Sequence, residues 1–455
     1  MPGALHARRG RVRAGDPGRR AHHRHDQLVG RARRGRRGRQ QRQRTNHGEL
    51  RPMTRLRRAS GFSLIELMVA LVLGALLVLG LLKIFDASRA SYKLSEGLAR
   101  VQENGRFAMD YLQRDLRMAG HMGCLNDQTR FLSNPAGFRS AFVAQQRPSE
   151  AQLDAAPDAL RFNHMIQGFE ARGTAPGGSV GLPANGAWAG SPNLPGHVAA
   201  LTPAPMAGSD VVAVRFFSPE GVPVKAFSAS SVTVDSARWN QVIAANGYVR
   251  PGLLAVADCQ SAISFEATSI DQSGADTVIG VAVSGLNRSG LGEGPFSPGQ
   301  ATLYRAETMV YYVAPNPEAG NEPTLYRARF TAEPGAATAT LVGGAPEPLV
   351  EGIENMQLIY GLDSQTDQTR QPTGFVSRQA VADAVQPGAD RLPWRRVGLV
   401  QVAFLLRSAD GAGAPASLIA EKPRLLGVQT APPDDGRYRT VYESTIALRN
   451  RLFGN

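Results

Sequence analysis

The sequence predicts an α+β chain, with one long N-terminal α-helix packed on a largely antiparallel β head. Three observations predict it. Residues 62–85 form a run dominated by apolar side chains. A proline-free, helix-compatible stretch carries on from there to about Arg117. After Cys124, short segments rich in Val, Ile, Phe, Tyr and Thr recur between Gly, Pro, Asp and Ser.

Residues 1–52 stand apart from this plan. The chain has 455 residues and a formal charge of +13. Sixteen arginines, set against Asp16, Asp26 and Glu49, place the whole of that excess in residues 1–52, and the rest is neutral. The segment has no Lys, Ile, Phe, Trp, Tyr or Cys. It cannot bury a core, so it is expected to be disordered. With no aromatic interleaved for base stacking, it is a poor nucleic-acid arm. Its Arg, Gly, Ala and His bias reads instead as translated sequence upstream of a true start at Met53. The neutral remainder offers no electrostatic footprint for nucleic acid.

From Met53 the chain reads MTRLRRASG and then FSLIELMVALVLGALLVLGLLKIF. Arg55, Arg57 and Arg58 precede 24 residues, from Phe62 to Phe85, interrupted mainly by Glu66 and Lys83. As a helix that run is about 36 Å long, enough to span a bilayer. The arginines hold its start on the cytoplasmic side, so the rest is exported. No small-residue cleavage site follows the run, unlike an ordinary secretory signal. A plain anchor does not account for Glu66, because a carboxylate in that setting costs a few kcal/mol and needs a partner. Cleavage after Gly61 would supply one, the new α-amino group of Phe62.

The string Gly61-Phe62-Ser63-Leu64-Ile65-Glu66 resembles the signal of type IV prepilins and type II secretion pseudopilins. The resemblance implies a leader at 53–61, cut after Gly61 by a prepilin peptidase, and N-methylation of Phe62. It also implies that Glu66 neutralises the amino terminus of an adjacent subunit during assembly. A start at Met53 gives a nine-residue leader of the usual length.

Beyond Phe85, apolar residues recur at Leu94, Leu98, Val101, Ala108, Leu112 and Leu116, as on an amphipathic helix. Phe107 and Tyr111 widen the stripe, and Arg100, Glu103, Arg106, Asp110, Arg114 and Asp115 fill the other faces. Gly97 and Gly105 are its weak points. The helix is thus expected over 62–118, spanning a membrane at 62–85, with its second half as the spine of the head. Gly74 and Gly80 allow close helix approach in the first half.

The head occupies residues 119–455, with a division into two lobes near 270 left open. Residues 134–206 read as loop. Strands are expected at 210–217, 230–235, 261–268, 277–283, 301–314, 324–331, 353–361, 397–407 and 440–448. Residues 362–395 and 408–436 read as long loops. Cys124 and Cys259 are the two cysteines. Both lie on the exported side, where disulfides persist. They are expected to bridge, closing a loop worth about 5 kcal/mol in the chain-entropy model; the alternative is two separate buried thiols.

Several segments resemble PilW-type minor pilins: Gln102–Ala108, Arg117–Gly120, Gly123-Cys124, Asp258-Cys259, Glu307–Val313, Leu325–Arg327, Gly352–Leu358 and Thr445–Asn450. The resemblance runs in order from Met53 to the end and is weakest over 134–206.

Catalytic patterns are sparse. Gly177–Gly181 fits G-x-S-x-G but has no strand-turn-helix setting. Gly290–Gly294 lacks the lysine of a phosphate loop. The histidines after Met53 (His121, His164, His197) lack zinc-site spacing. Asp363 with Asp367, or Asp434 with Asp435, has oxygen ligands suited to calcium but reads better as solvated turns. Tyr304, Tyr311, Tyr312 and Tyr326 read as strand packing. No enzyme, metal or cofactor is expected.

The resemblance implies a minor pilin that primes pilus assembly with other minor pilins, the major pilin and the inner-membrane assembly platform. It then sits at the filament tip with a PilY-type adhesin, supporting attachment and twitching motility. The implied path is inner membrane with a periplasmic head, then cell surface. The alternative is a J-type minor pseudopilin of a type II secretion system, whose heads are usually smaller.

Overall fold

A single helix, Leu64–Met118, opens the computed structural model. Residues 61–125, 137–146, 148–245, 247–292, 296, 299–365, 373–385, 393–408 and 422–451 are described. The arginine-rich segment and the leader up to Ser60 lie outside them. The chain divides into two units, Met1–Leu71 and Val72–Asn455.

In the first unit the helix starts on a reciprocal cap. Ser63 Oγ accepts from the Glu66 N–H at 3.2 Å, and Glu66 Oε2 accepts from the Ser63 N–H at 3.0 Å. This Ser-x-x-Glu box satisfies two of the donors that every helix start leaves open.

In the second unit the helix ends at Gly120, whose φ of 79° is the left-handed conformation that stops helices. Asn450 Nδ2 reaches back to the Arg117, Met118 and Ala119 carbonyls at 3.1, 3.4 and 3.3 Å, covering acceptors the helix cannot use itself.

The head is β-rich and largely antiparallel, as the sequence predicts. A 14-stranded sheet is organised on the hairpin Thr302–Asn316/Glu322–Thr331, which sets Tyr312 opposite Tyr326. Thr302–Asn316 also pairs with Val211–Phe217 and Leu253–Ala257. A second sheet runs Val376–Ala380, Ile353–Asp363, Val397–Arg407, Arg439–Ala447, antiparallel throughout. A third, of three strands, pairs Ser179–Gly181 in parallel with Val428–Ala431.

The main core lies where the helix meets both larger sheets. Val101, Ala108, Leu112 and Leu116 pack with Met356, Leu358, Tyr360, Val402, Phe404 and Ile446, and with Val212, Val214, Tyr311 and Val313.

Four expectations need correction. Residues 134–206 are not all loop, because Ile166–Ala171 is a strand buried at every position. A strand covered on both faces shows no alternation, and Gln167 and Glu170 mask its apolar character. The expected loops at 362–395 and 408–436 contain the strands Val376–Ala380 and Val428–Ala431. Phe107 does not join the buried stripe, since it is 48% exposed. Asp115 is not on an outer face, since it is 4% exposed.

Candidate functional site

Three places carry the chemistry, and the sequence singles out the first and the third. The first is the start of the helix. Phe62 and Glu66 are exposed, beside the Ser63–Glu66 cap. From Phe62 to Phe85 the large apolar side chains are exposed: Phe62, Leu64, Ile65, Leu71, Leu77, Leu81, Ile84 and Phe85 all exceed 60%. A soluble surface does not leave a patch of that size open to water without a partner. The helix contains a stretch long and apolar enough to cross a membrane.

The second is where the helix docks on the head. Its buried side follows Gly97, Val101, Gly105, Ala108, Leu112 and Asp115. Asp115 Oδ2 accepts from the Tyr311 hydroxyl and from Arg327 Nη1, the latter at 3.2 Å. Arg327 Nη2 in turn holds Glu347 at 2.8 Å. Burial, then the charge of Asp115, pushes the Tyr311 phenol well up, so it remains a donor. Gly105 permits the contact on the other sheet: a Cβ there would sit 2.7 Å from the Tyr442 ring.

The third is the pair Cys124–Cys259, which the structure joins in a disulfide across 135 residues of sequence. It ties the chain just after the helix to the turn between Leu253–Ala257 and Ala262–Glu266, a turn shaped by Asp258 Oδ1 accepting from the Gln260 and Ser261 N–H groups.

The other candidates do not assemble into a site. The Asp363 oxygens are taken by the N–H groups of Gln365, Thr373 and Gly374 at 2.7–3.0 Å, and Asp367 lies outside the described residues. Both oxygens of Asp435 are held by Arg439, which brings its carboxyl down to about 2. Among the described residues no group of three or more His, Cys, Asp or Glu side chains suits a metal ion. Ser179 is exposed on a short strand. His164 pairs with Asp154 at 2.9 Å, whereas His121 bonds the Phe217 carbonyl at 2.9 Å. Tyr312 and Tyr326 stack on one another at 5.6 Å, inside a core.

Sequence reasoning missed Asp115 and Ser63. A signal for each exists. Asp115 lies three and seven residues beyond Leu112 and Ala108, in phase with the buried stripe, and Ser63-x-x-Glu66 is a capping box that can be read by spacing alone.

The comparisons with known proteins agree with these features. The family model described as Type IV Pilus-assembly protein W matches residues 310–450. The model for the prokaryotic N-terminal methylation motif matches residues 56–82. The chain is a type IV pilin-related protein with a PilW domain. That domain covers most of the central hairpin and the whole four-stranded sheet. PilW-type pilins are structural proteins, handled by the pilus assembly machinery and its peptidase, and this one carries the apolar helix of a membrane-anchored pilin. No curated protein matches the chain. Among solved structures, the type IV-like pilin TTHA1219 from Thermus thermophilus is 16% identical, over 33% of this chain and 70% of its own, with a TM-score of 0.19. A score that low carries no weight for the fold.

Proposed function

We propose that this chain is a minor pilin of the type IV pilus. In this reading residues 53–61 are the leader, a prepilin peptidase cuts after Gly61, and Phe62 is N-methylated. Residues 62–85 then hold the protein in the inner membrane until they join the helical core of a filament. Glu66 neutralises the amino terminus of a neighbouring subunit. Together with other minor pilins the protein primes assembly on the inner-membrane platform and moves to the tip. There it supports a PilY-type adhesin, attachment and twitching motility. A head spanning residues 119–455 is bulky for a subunit repeated along a filament, which favours the tip.

The observation that carries this reading is the open apolar surface of residues 62–85 with one carboxylate, Glu66, five positions after Gly61. The deciding experiment is peptide mass spectrometry of the membrane-extracted protein, with and without the peptidase. The expected mature chain begins at N-methylated Phe62, in the peptidase-positive strain alone. A chain retaining residues before Gly61 in both strains would leave a plain anchored protein. Glu66→Ala should still be cleaved yet support few or no pili, and normal pilus numbers would remove its assembly role.

A further inference from the structure

Two carboxyl groups face each other where the two larger sheets meet. Ile166–Ala171 and Val211–Phe217 are antiparallel, with Phe169 opposite Val211. One step further, the same register sets Glu170 opposite Asp210. Like charges in that relation destabilise a sheet, and both residues are buried.

Gly208–Asp210 also stitches the other sheet. Asn355 Nδ2 and Gln357 Nε2 donate to the Gly208 carbonyl at 2.7 and 3.0 Å. The Met356 N–H donates to Ser209 Oγ at 3.0 Å, and the Asp210 N–H donates to the Met356 carbonyl at 2.9 Å. The Asp210 carboxyl then accepts one N–H from each sheet, Ala171 at 2.8 Å and Leu358 at 2.9 Å. It is the clamp between them.

Thr174 bridges the two carboxyls. Its hydroxyl carries one hydrogen. The shortest contact, 2.7 Å, is to the Ala171 carbonyl, which can only accept. The same hydroxyl lies 3.2 Å from Glu170 Oε1, to which it can also donate. Asp210 Oδ1 lies within 3.4 Å of the same hydroxyl.

The surrounding groups favour a retained proton. The Tyr360 hydroxyl, on the facing strand, is buried without a hydrogen-bond partner, as is Glu170 Oε2. Asp383, on the turn Ala382–Val385, adds a further negative charge beside Glu170. The turn Pro393–Arg396, which carries the buried Arg395 and Arg396, packs on the same strand. Burial, aided by Asp383, outweighs the hydrogen bonds from Thr174 and the Ala382 N–H and pushes Glu170 up to about 7. Burial, then Glu170, pushes Asp210 well up.

We propose that Glu170 and Asp210 form a proton-operated latch, closed while the pair holds a proton and loosened when both carboxyls ionise, so that the two sheets part along Gly208–Asp210. A carboxyl raised in the folded state binds protons that the unfolded chain has already lost. Its contribution is therefore full below the ordinary glutamate range, and falls away as pH rises toward 7 and beyond. His164 and His197, each held down first by burial, titrate with the opposite sign. A difference between wild type and variant isolates the latch from them.

The test is hydrogen exchange at the Ala171 and Leu358 amides of the mature chain in detergent, between pH 5.5 and 8, corrected for intrinsic rates. Wild type should lose protection by about tenfold across this range, one unit of differential proton affinity being tenfold. Glu170→Gln, which keeps the shape of the protonated acid, should hold its protection. Identical pH profiles in the two proteins would overturn the proposal. Should Glu170→Gln fail to fold, the exposed Asp383→Asn replaces it. Removing that charge should move the wild-type midpoint to lower pH, and an unmoved midpoint would equally overturn the latch. Trp188, whose Nε1 donates to the Ser209 carbonyl at 2.8 Å, and Trp394, edge-on to Tyr360 at 4.9 Å, give a fluorescence readout of the same event.

Discussion

Between Phe62 and Phe85 the helix leaves its Leu, Ile, Val and Phe side chains exposed, whereas between Gly97 and Met118 it buries the carboxylate of Asp115. Each half breaks the usual rule of burial, in opposite directions. The apolar half has nothing of its own chain to pack against, so its stability must come from lipid or from other helices. The amphipathic half is committed to this head, and its buried charge does what apolar contacts alone cannot. Leu112 and Leu116 tolerate small rotations of the helix, because dispersion contacts are non-directional. The hydrogen bonds of Asp115 to Tyr311 and Arg327 do not. Asp115 therefore fixes the rotation and register of the helix on the sheet, and apolar area supplies most of the adhesion.

The largest effect is expected where that contrast is removed. Asp115→Ala leaves Arg327 and Tyr311 without their shared acceptor inside the core, which should cost about 3–5 kcal/mol. Asp115→Asn, which still accepts from Tyr311, should cost less. Denaturant unfolding of the mature chain measures both. A loss below about 1 kcal/mol for the alanine variant would mean that apolar packing alone sets the docking.

Next is the disulfide, which anchors the chain just beyond the helix. Cys124→Ser should destabilise by about 2–5 kcal/mol, the usual range for losing a native bridge. Cys259 should then react with a maleimide in the variant, as both thiols should in reduced wild type, whereas oxidised wild type should not react. An unchanged melting temperature would show that Asp115 and the core already hold this end of the helix.

What could be read from the sequence differs between the halves for the same reason. The apolar half was fully legible, because a membrane imposes one simple rule, a long run without charges, and Glu66 stands out against it. The strands at 302–316, 353–363 and 397–407 were legible too, since β-branched and aromatic runs bounded by turn residues mark them. Asp115 was not, because a charge in a helical pattern looks solvated until its partners are known, and Arg327 and Tyr311 lie about 200 residues away. Ile166–Ala171 failed similarly: its Glu170 makes sense only opposite Asp210. The disulfide was legible as one of two alternatives, since a single pair of cysteines allows one bridge or none.

A smaller effect should appear at Gly105. In an exposed helix Gly→Ala gains about 1 kcal/mol from propensity. Here the new Cβ meets the Tyr442 ring at 2.7 Å, and overpacking of that kind costs about 1–3 kcal/mol. The clash should win, giving net destabilisation. In a Tyr442→Ala background the sign should reverse, because space opens and propensity remains. Such a reversal in a double-mutant cycle would place the glycine in close helix–sheet approach. Destabilisation in both backgrounds would place the cost elsewhere.

The smallest effect is expected at the other end of the contrast. Ser63→Ala removes the acceptor of the Glu66 N–H and leaves the Ser63–Glu66 box half made. A lost cap costs about 1 kcal/mol, equivalent to about fivefold in a local opening equilibrium. Amide exchange at Glu66 and Leu67 in micelles should speed up by that factor, while cleavage after Gly61 and the stability of the head stay unchanged. That pattern would show that the first turn is held by its own cap and needs nothing from the head. Loss of cleavage in Ser63→Ala with unchanged exchange would assign Ser63 to recognition by the peptidase instead, and Glu66 would then have to be free of its cap before it could meet a neighbour's amino terminus.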